Sequence, residues 1–353
     1  MTVSNASMKL REVLGTELPV IQAPMAGVQG SALATAASNA GALGSLPCAL
    51  LGPDAMRDEL AAIRAGTTRP WNVNFFCHTL PAASAERDAR WRDALASYYE
   101  EFGIDATTIP DGPGRSPFTH DAADVLEELS PPIVSFHFGL PPLDLLDRVR
   151  RMGAKILASA TTLDEARWLD ARGVDAIIAQ GLEAGGHRGN FLSDDLTTQV
   201  GTFALVPQIV RAVGVPVIAA GGIADAAGVA AAMALGAAGV QVGTAYLLCP
   251  EATTTAVHRA ALASDAAHHT ALTNLFSGRA ARGIINRLMR ELGPMSALPP
   301  EFPLATAALT PLRGAAESRG SGDFSPLWSG QNASGCKAIP AADLTRELAA
   351  GIR

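Results

Sequence analysis

Short apolar runs rich in strand-forming residues alternate with Ala-rich segments of helical period, and a chain with that rhythm has few folds open to it. The runs are Pro19–Met25, Ala42–Pro47, Trp71–Cys77, Ile133–Gly139, Lys155–Ala160, Ala176–Gln180, Pro216–Gly221 and Gly239–Gly243. Between them lie helix candidates at Ser31–Ala40, Pro53–Ala65, Pro142–Met152, Leu163–Arg172, Leu205–Val213 and Ala226–Leu235. Strand–helix repetition of this kind builds parallel βαβ units. Several runs are apolar throughout rather than alternating, as strands are when both faces of the sheet are covered.

An open, doubly wound sheet and a closed barrel share this alphabet. Gly-rich or polar residues end nearly every run, at the place where barrel enzymes build their sites. The first strand is not followed by the GxGxxG that a dinucleotide-binding sheet requires. The expected fold is therefore α/β, a (β/α)8 TIM barrel over residues 1–250. Two departures stand out. Residues 78–129 form a long insertion after strand three, with a helix candidate at Ala85–Glu101 and a Pro/Gly-rich link at Ile109–Pro117. Residues 251–353 lose the rhythm and read as a mainly helical lobe over the barrel mouth, with a final helix that returns to the barrel.

Composition narrows the function. With 48% hydrophobic and 17% charged residues, the chain buries too much to be disordered. A net charge of -7 and the lack of a basic run argue against nucleic acid or an anionic membrane as partner. Cys48, Cys77, Cys249 and Cys336 form no CxxC pair, so no metal or disulfide framework is expected. The amino terminus lacks a signal-peptide pattern, and no apolar run approaches a membrane span, which makes the cytoplasm the expected compartment. The Ala-rich exterior permits a homodimer without requiring one.

The segment AQGLEAGGHRG, Ala179–Gly189, carries the most chemical information. Gln180 closes strand six, and glycines then let the backbone approach a ligand. His187 follows on a loop at the barrel mouth. Imidazole, with an ordinary pKa of about 6.5, accepts a proton near neutral pH; a structural or surface histidine is the alternative. His137, ending strand four in SFHFGLP, faces the same region and reads as a supporting residue. A second constellation pairs PVIAAGGI, Pro216–Ile223, with GVQVGTAY, Gly239–Tyr246. In barrels the loops after strands seven and eight commonly hold a phosphate, which glycine amides and the Thr244 hydroxyl would bind. QAPMAG, Gln22–Gly27, ends strand one, and Asn74 ends strand three with an amide suited to a flat heterocycle. Met25 lies where it meets either a ring face or ordinary packing.

Together these segments resemble the nitronate monooxygenase family of FMN-dependent barrels. The likeness runs from about Leu10 to Pro250 through PVIQAPMAG, the VN of WNVNFF, SFHFGLP, AQGLEAGGHRG, AAGGI and QVGT. It continues less distinctly through SGRAARGIINR (Ser277–Arg287) and WSGQ (Trp328–Gln331). The resemblance implies FMN contacts from Pro24, Met25, Ala26, Asn74, Gln180, Gly185, Gly222, Gln241, Val242, Gly243 and Thr244, and His187 as the catalytic base. It implies oxidation of a small-molecule nitronate or nitroalkane by O2 to a carbonyl compound and nitrite. Arg188, Arg279 and Arg282 are candidate anion contacts beside the alternative of solvated surface charges. An FMN- and NADPH-dependent enoyl-acyl-carrier-protein reductase is the main rival, and a non-redox phosphate-binding lyase or isomerase is a further one. An inosine-monophosphate dehydrogenase type of barrel needs a nucleophilic cysteine after strand six, and no cysteine lies between Cys77 and Cys249.

Overall fold

Eight short strands pair in parallel, in the order β1, β9, β8, β6, β5, β4, β3, β2. They are β1 (Val20–Gln22), β2 (Gly44–Pro47), β3 (Trp71–Phe76), β4 (Ile133–His137), β5 (Lys155–Ala160), β6 (Ala176–Gln180), β8 (Val217–Ala220) and β9 (Gly239–Val242). A parallel bridge between Ile21 and Leu43 joins β1 to the residue preceding β2, with Leu43 N donating to Val20 O at 2.9 Å. The sheet thus comes round on itself, and the barrel expected from the strand–helix rhythm is the one observed. The computed structural model describes residues 5–82, 84–109 and 115–352. Part of the Pro/Gly-rich link at Ile109–Pro117 lies outside the described residues.

The barrel helices follow the strands. They are α2 (Ser31–Asn39), α3 (Pro53–Gly66), α5 (His120–Leu129), α6 (Leu143–Arg151), α7 (Leu163–Asp170), α8 (Thr202–Val210) and α9 (Ala226–Ala234), with α1 (Asn5–Leu14) ahead of β1 and α4 (Ala85–Phe102) in the insertion. Local caps fix several starts. The Thr119, Thr162 and Asp225 side chains accept from the amides of Ala122, Glu165 and Gly228. Helix α8 begins three residues before the expected Leu205, because its first amide is capped from a distance: the Glu183 carboxylate accepts from Thr202 N at 2.8 Å.

Side-chain alternation divides the core into two layers. Val73, Val134, Ala158, Ile177, Ala219 and Val240 face the helices. Ile21, Leu43, Ile133, Leu157, Ile178 and Ile218 fill the barrel interior together with Leu10 and Leu14 of α1. Those two leucines stand four apart on one helix face, so α1 plugs the amino end of the barrel. With that end stopped, only the carboxyl end is open to a ligand.

One expectation needs correction. The insertion after β3 is shorter than residues 78–129, since α5 is the ordinary barrel helix between β3 and β4. Helix α4 leaves the barrel and packs Trp91, Leu95 and Tyr98 against Leu309, Leu312 and Phe324. The carboxyl-terminal lobe is mainly helical, as expected, and also carries a small sheet. Beside α10 (Ala256–Leu262), α11 (Arg287–Glu291) and α12 (Thr306–Ser318) it holds a three-stranded antiparallel sheet. In that sheet β11 (Ala281–Ile284) lies between β10 (Thr270–Thr273) and β7 (Gly186–His187). The last helix, α13 (Ala341–Ala349), buries Leu344 and Leu348 in the strand–helix layer of the barrel.

Candidate functional site

His187 stands not on a free loop but in β7, opposite Ala281 of β11. Gly186 takes φ of +72°, which turns the chain from the end of β6 into this strand, a conformation glycine adopts without strain. Gly185 needs its lack of a side chain for a different reason: a Cβ there would come within 2.5 Å of Gly330 N in the lobe. The close approach expected of these glycines is therefore made partly to protein. The next residue anchors the turn. Arg188 is fully buried and donates to Gln199 Oε1, Gly181 O and Gln180 O at 2.6, 2.7 and 2.8 Å. Beyond it, buried Glu165 accepts from the amides of Phe191 and Leu192.

The carbonyl of His187 is gripped twice, by Gln180 Nε2 at 3.0 Å and His137 Nε2 at 3.2 Å. A carbonyl only accepts, so His137 carries its proton on Nε2 and takes the Ser159 hydroxyl on Nδ1 at 3.1 Å. Gln180 also accepts from Gly189 N at 2.8 Å. Both ends of that amide are committed to the turn that presents His187.

The His187 ring lies among Phe302, Trp328, Phe76 and Phe138, with centroids 5.2, 5.5, 6.2 and 6.2 Å away. Its Nε2 is 2.8 Å from Ser277 Oγ. Burial, reinforced by Arg115, His137, Arg279 and His78, holds its pKa well below the ordinary value. Burial also lowers His137, to about 4. Arg279 lies over the Phe138 ring at 4.3 Å, and Arg115 lies 6.0 Å from the Phe302 centroid. Neither arginine forms an ion pair among the described residues. Burial lowers both their pKa values, Arg115 to about 10. This end of the site is therefore dry, aromatic and positive.

From there a cavity of about 1270 Å³, counted out through its open mouth, runs across the carboxyl ends of β1, β3, β6, β8 and β9. Pro24, Met25, Ala26, Asn74, Gln180, Gly185, Gly222, Gln241, Gly243 and Thr244 all line it, with His187 at one side. Among the residues lining it, Gly222, Ile223, Gly243 and Thr244 have amides that donate to no acceptor among the described residues. Thr244 Oγ1 accepts from Gly330 N at 2.9 Å, which leaves its own proton to give.

Comparison with known proteins then decides the kind of molecule this is. The nitronate monooxygenase family model matches residues 7–351. The chain is 42% identical to a nitronate monooxygenase of Paraburkholderia phytofirmans, covering 99% of this chain and 96% of that one. It is 41% identical to the nitronate monooxygenase of Pseudomonas aeruginosa, covering 98% and 99%. The chain belongs to the nitronate monooxygenase family. A solved nitroalkane oxidase from Streptomyces ansochromogenes superposes with a TM-score of 0.88 at 37% identity, covering 98% of this chain and 97% of that one. FabK from Thermotoga maritima is more distant, with a TM-score of 0.69 at 26% identity and coverage of 98% and 95%. Membership makes the chain an oxidoreductase of a flavin-dependent family that oxidises nitronates.

Within this nitronate monooxygenase fold, four residues named from the sequence stand outside the cavity lining. Val242 does not line the cavity; its side chain is buried in the strand–helix layer, and its carbonyl accepts from Ala23 N at 2.8 Å. Arg188 is turned into the protein rather than towards a ligand. Arg282 donates to Leu182 O at 3.0 Å and Thr270 Oγ1 at 3.2 Å, which ties β11 to the barrel loop. Gln331 is exposed and joins the site only through its amide, bound to Glu183 O at 2.9 Å. Sequence reasoning did not single out Arg115, Phe76, Ser277 or Phe302. Phe76 was within reach, because Asn72, Asn74 and Phe76 alternate along β3 and share one face. Ser277 and Phe302 gave no local signal, since they reach the site only through the fold of the lobe.

Proposed function

We propose that this chain binds FMN and oxidises alkyl nitronates with O2 to a carbonyl compound and nitrite. When the substrate arrives as a neutral nitroalkane, His187 is the base. The observation that carries the reading is that Gly222, Ile223, Gly243 and Thr244, which line the same cavity as His187, have amides that donate to no acceptor among the described residues. Free amides at two successive strand ends suit a phosphate.

The rest of the cavity fits the ring of a flavin. Asn74 gives its Nδ2 to Ser135 Oγ at 3.0 Å, so its carbonyl oxygen is left to accept from a ring N–H. Gln241 makes no side-chain hydrogen bond among the described residues, and Met25 supplies a soft apolar surface. Asn74, Met25, Gly185, Gly222, Gln241, Gly243 and Thr244 would hold the cofactor, with Pro24 and Ala26 bounding it. Gln180 would act by holding the His187 turn. When bound, the flavin supplies the electron-accepting ring and the path of electrons to O2.

The protein's own contribution follows from charge and burial. Arg115 and Arg279 set a positive field in a water-poor chamber, where fixed charge acts more strongly than in water. An anionic nitronate is favoured there. Burial, reinforced by that field, keeps His187 neutral, so it does not steady that anion as an imidazolium; it is ready instead to take a proton from carbon. The four surrounding aromatic rings exclude water from the reacting atoms.

Release of FMN on denaturation, together with O2 uptake and nitrite formation on adding ethylnitronate, would support this function. An FMN-loaded protein that consumes no O2 with ethylnitronate would refute it.

A further inference from the structure

We propose that Ser277 fixes the tautomer of His187, placing its proton on Nε2 and making Nδ1 the nitrogen that faces the substrate. The inference rests on the reading of His187 as the base and names the atom that acts. His187 Nε2 and Ser277 Oγ are 2.8 Å apart. A serine hydroxyl has one proton, and Ser277 directs it to the carbonyl of Arg279 at 3.4 Å. The oxygen is then an acceptor for the imidazole, and the proton between the two residues belongs to His187 Nε2. His187 Nδ1 makes no hydrogen bond to any described residue, while His187 lines the cavity. The lone pair is thus left on the nitrogen free of the protein.

The groups around the ring do not compete for this arrangement. His78, His137, Arg115 and Arg279 are the titratable or charged groups that act on it, and all are neutral imidazoles or cations. Among the described residues no carboxylate orients the imidazole; a neutral hydroxyl does so. That choice avoids stabilising the charged ring at rest and keeps the base unprotonated. In the step itself the C–H bond α to the nitro group breaks and its proton passes to Nδ1. The electron pair moves into the carbon–nitrogen bond, and the negative charge settles on the nitro oxygens. The ring becomes cationic, with Nε2–H still donating to Ser277.

The ¹⁵N spectrum of FMN-loaded protein labelled at histidine nitrogens, with His187 assigned by comparison with His187→Asn, reads the tautomer without turnover. Nε2–H with bare Nδ1 in the wild type, and a mixture of tautomers in Ser277→Ala that Ser277→Thr reverses, are the expected results. Nδ1–H in the wild type would overturn the proposal. In turnover, Ser277→Ala is expected to lower kcat with nitroethane at least about 10-fold more than kcat with ethylnitronate, with Ser277→Thr restoring the balance. Equal losses on both substrates would overturn it as well. Should His187→Ala leave nitroethane turnover intact, the base assignment itself fails, an outcome distinct from either tautomer result.

Discussion

A histidine enclosed by Phe76, Phe138, Phe302 and Trp328 holds a proton poorly, and the nearby Arg115 and Arg279 make it hold one less well. The base works deprotonated, so a lowered pKa extends its active form to lower pH. With a neutral nitroalkane, kcat/KM is expected to stay flat from about pH 6.5 upward, the ordinary imidazole pKa, and to fall only below it. An inflection at pH 7 or above in the rate profile would contradict that environment. Replacing His187 by Ala should lower nitroalkane turnover by about 10²-fold or more and leave FMN affinity, read by fluorescence quenching, within about 2-fold. Arg188→Ala tests a different role. It strands three buried acceptors and is expected to cost more than about 3 kcal/mol in urea unfolding, despite lying next to the proposed base. Much of this residue-scale picture was legible. The glycine-flanked histidine and the Gly222 and Thr244 strand ends were visible in sequence, because each sits in a short local motif. Which arginine acts on His187 was not, since Arg188 and Arg279 read alike until burial sorts them.

At the scale of elements, the barrel was readable because strand and helix periods are local properties. β5 and β6 fall where the apolar runs Lys155–Ala160 and Ala176–Gln180 place them. The small sheet was not readable. Its β7 is two residues long, and its partner ARGI contains an arginine and a glycine, so no period-2 pattern marks either strand. Only pairing across the lobe creates it. That sheet is what immobilises His187, which gives a prediction. Ala281→Pro in the central strand β11, at the position facing His187, removes a backbone donor on the β10 side of the sheet and should weaken the lobe by about 3 kcal/mol. Nitroalkane turnover should then be lost, while far-UV circular dichroism of the barrel is kept. Full activity in that variant would separate the base from the sheet. The α4–α12 contact is a second such device, since Trp91 is buried there with its Nε1 donating to Ala305 O at 3.1 Å. Trp91→Ala is expected to destabilise the protein by about 3–5 kcal/mol.

The whole molecule joins a barrel plugged at its amino end to a lobe whose His258, Trp328, Gly330 and Asn332 line the same cavity as the carboxyl ends of the strands. Four histidines tie its stability to pH. His78, His137 and His258 are each lowered to about 4 and His187 is held well below its ordinary value, mainly by burial. The unfolded chain therefore binds more protons than the native one between pH 6.5 and about 4. Stability should fall as pH drops through that window, by up to about 1.4 kcal/mol per pH unit for each histidine. Urea midpoints measured across that range would show the slope, and a flat profile would contradict burial of the neutral rings. The central claim is that one cavity holds a flavin at its glycine-lined end and presents a nitronate to it beside His187. An anaerobic absorbance titration of the purified protein, with ethylnitronate and separately with NADPH, tests it most directly. Loss of the oxidised-flavin absorbance with ethylnitronate but not with NADPH is the predicted result; rapid bleaching by NADPH with no response to ethylnitronate would contradict it.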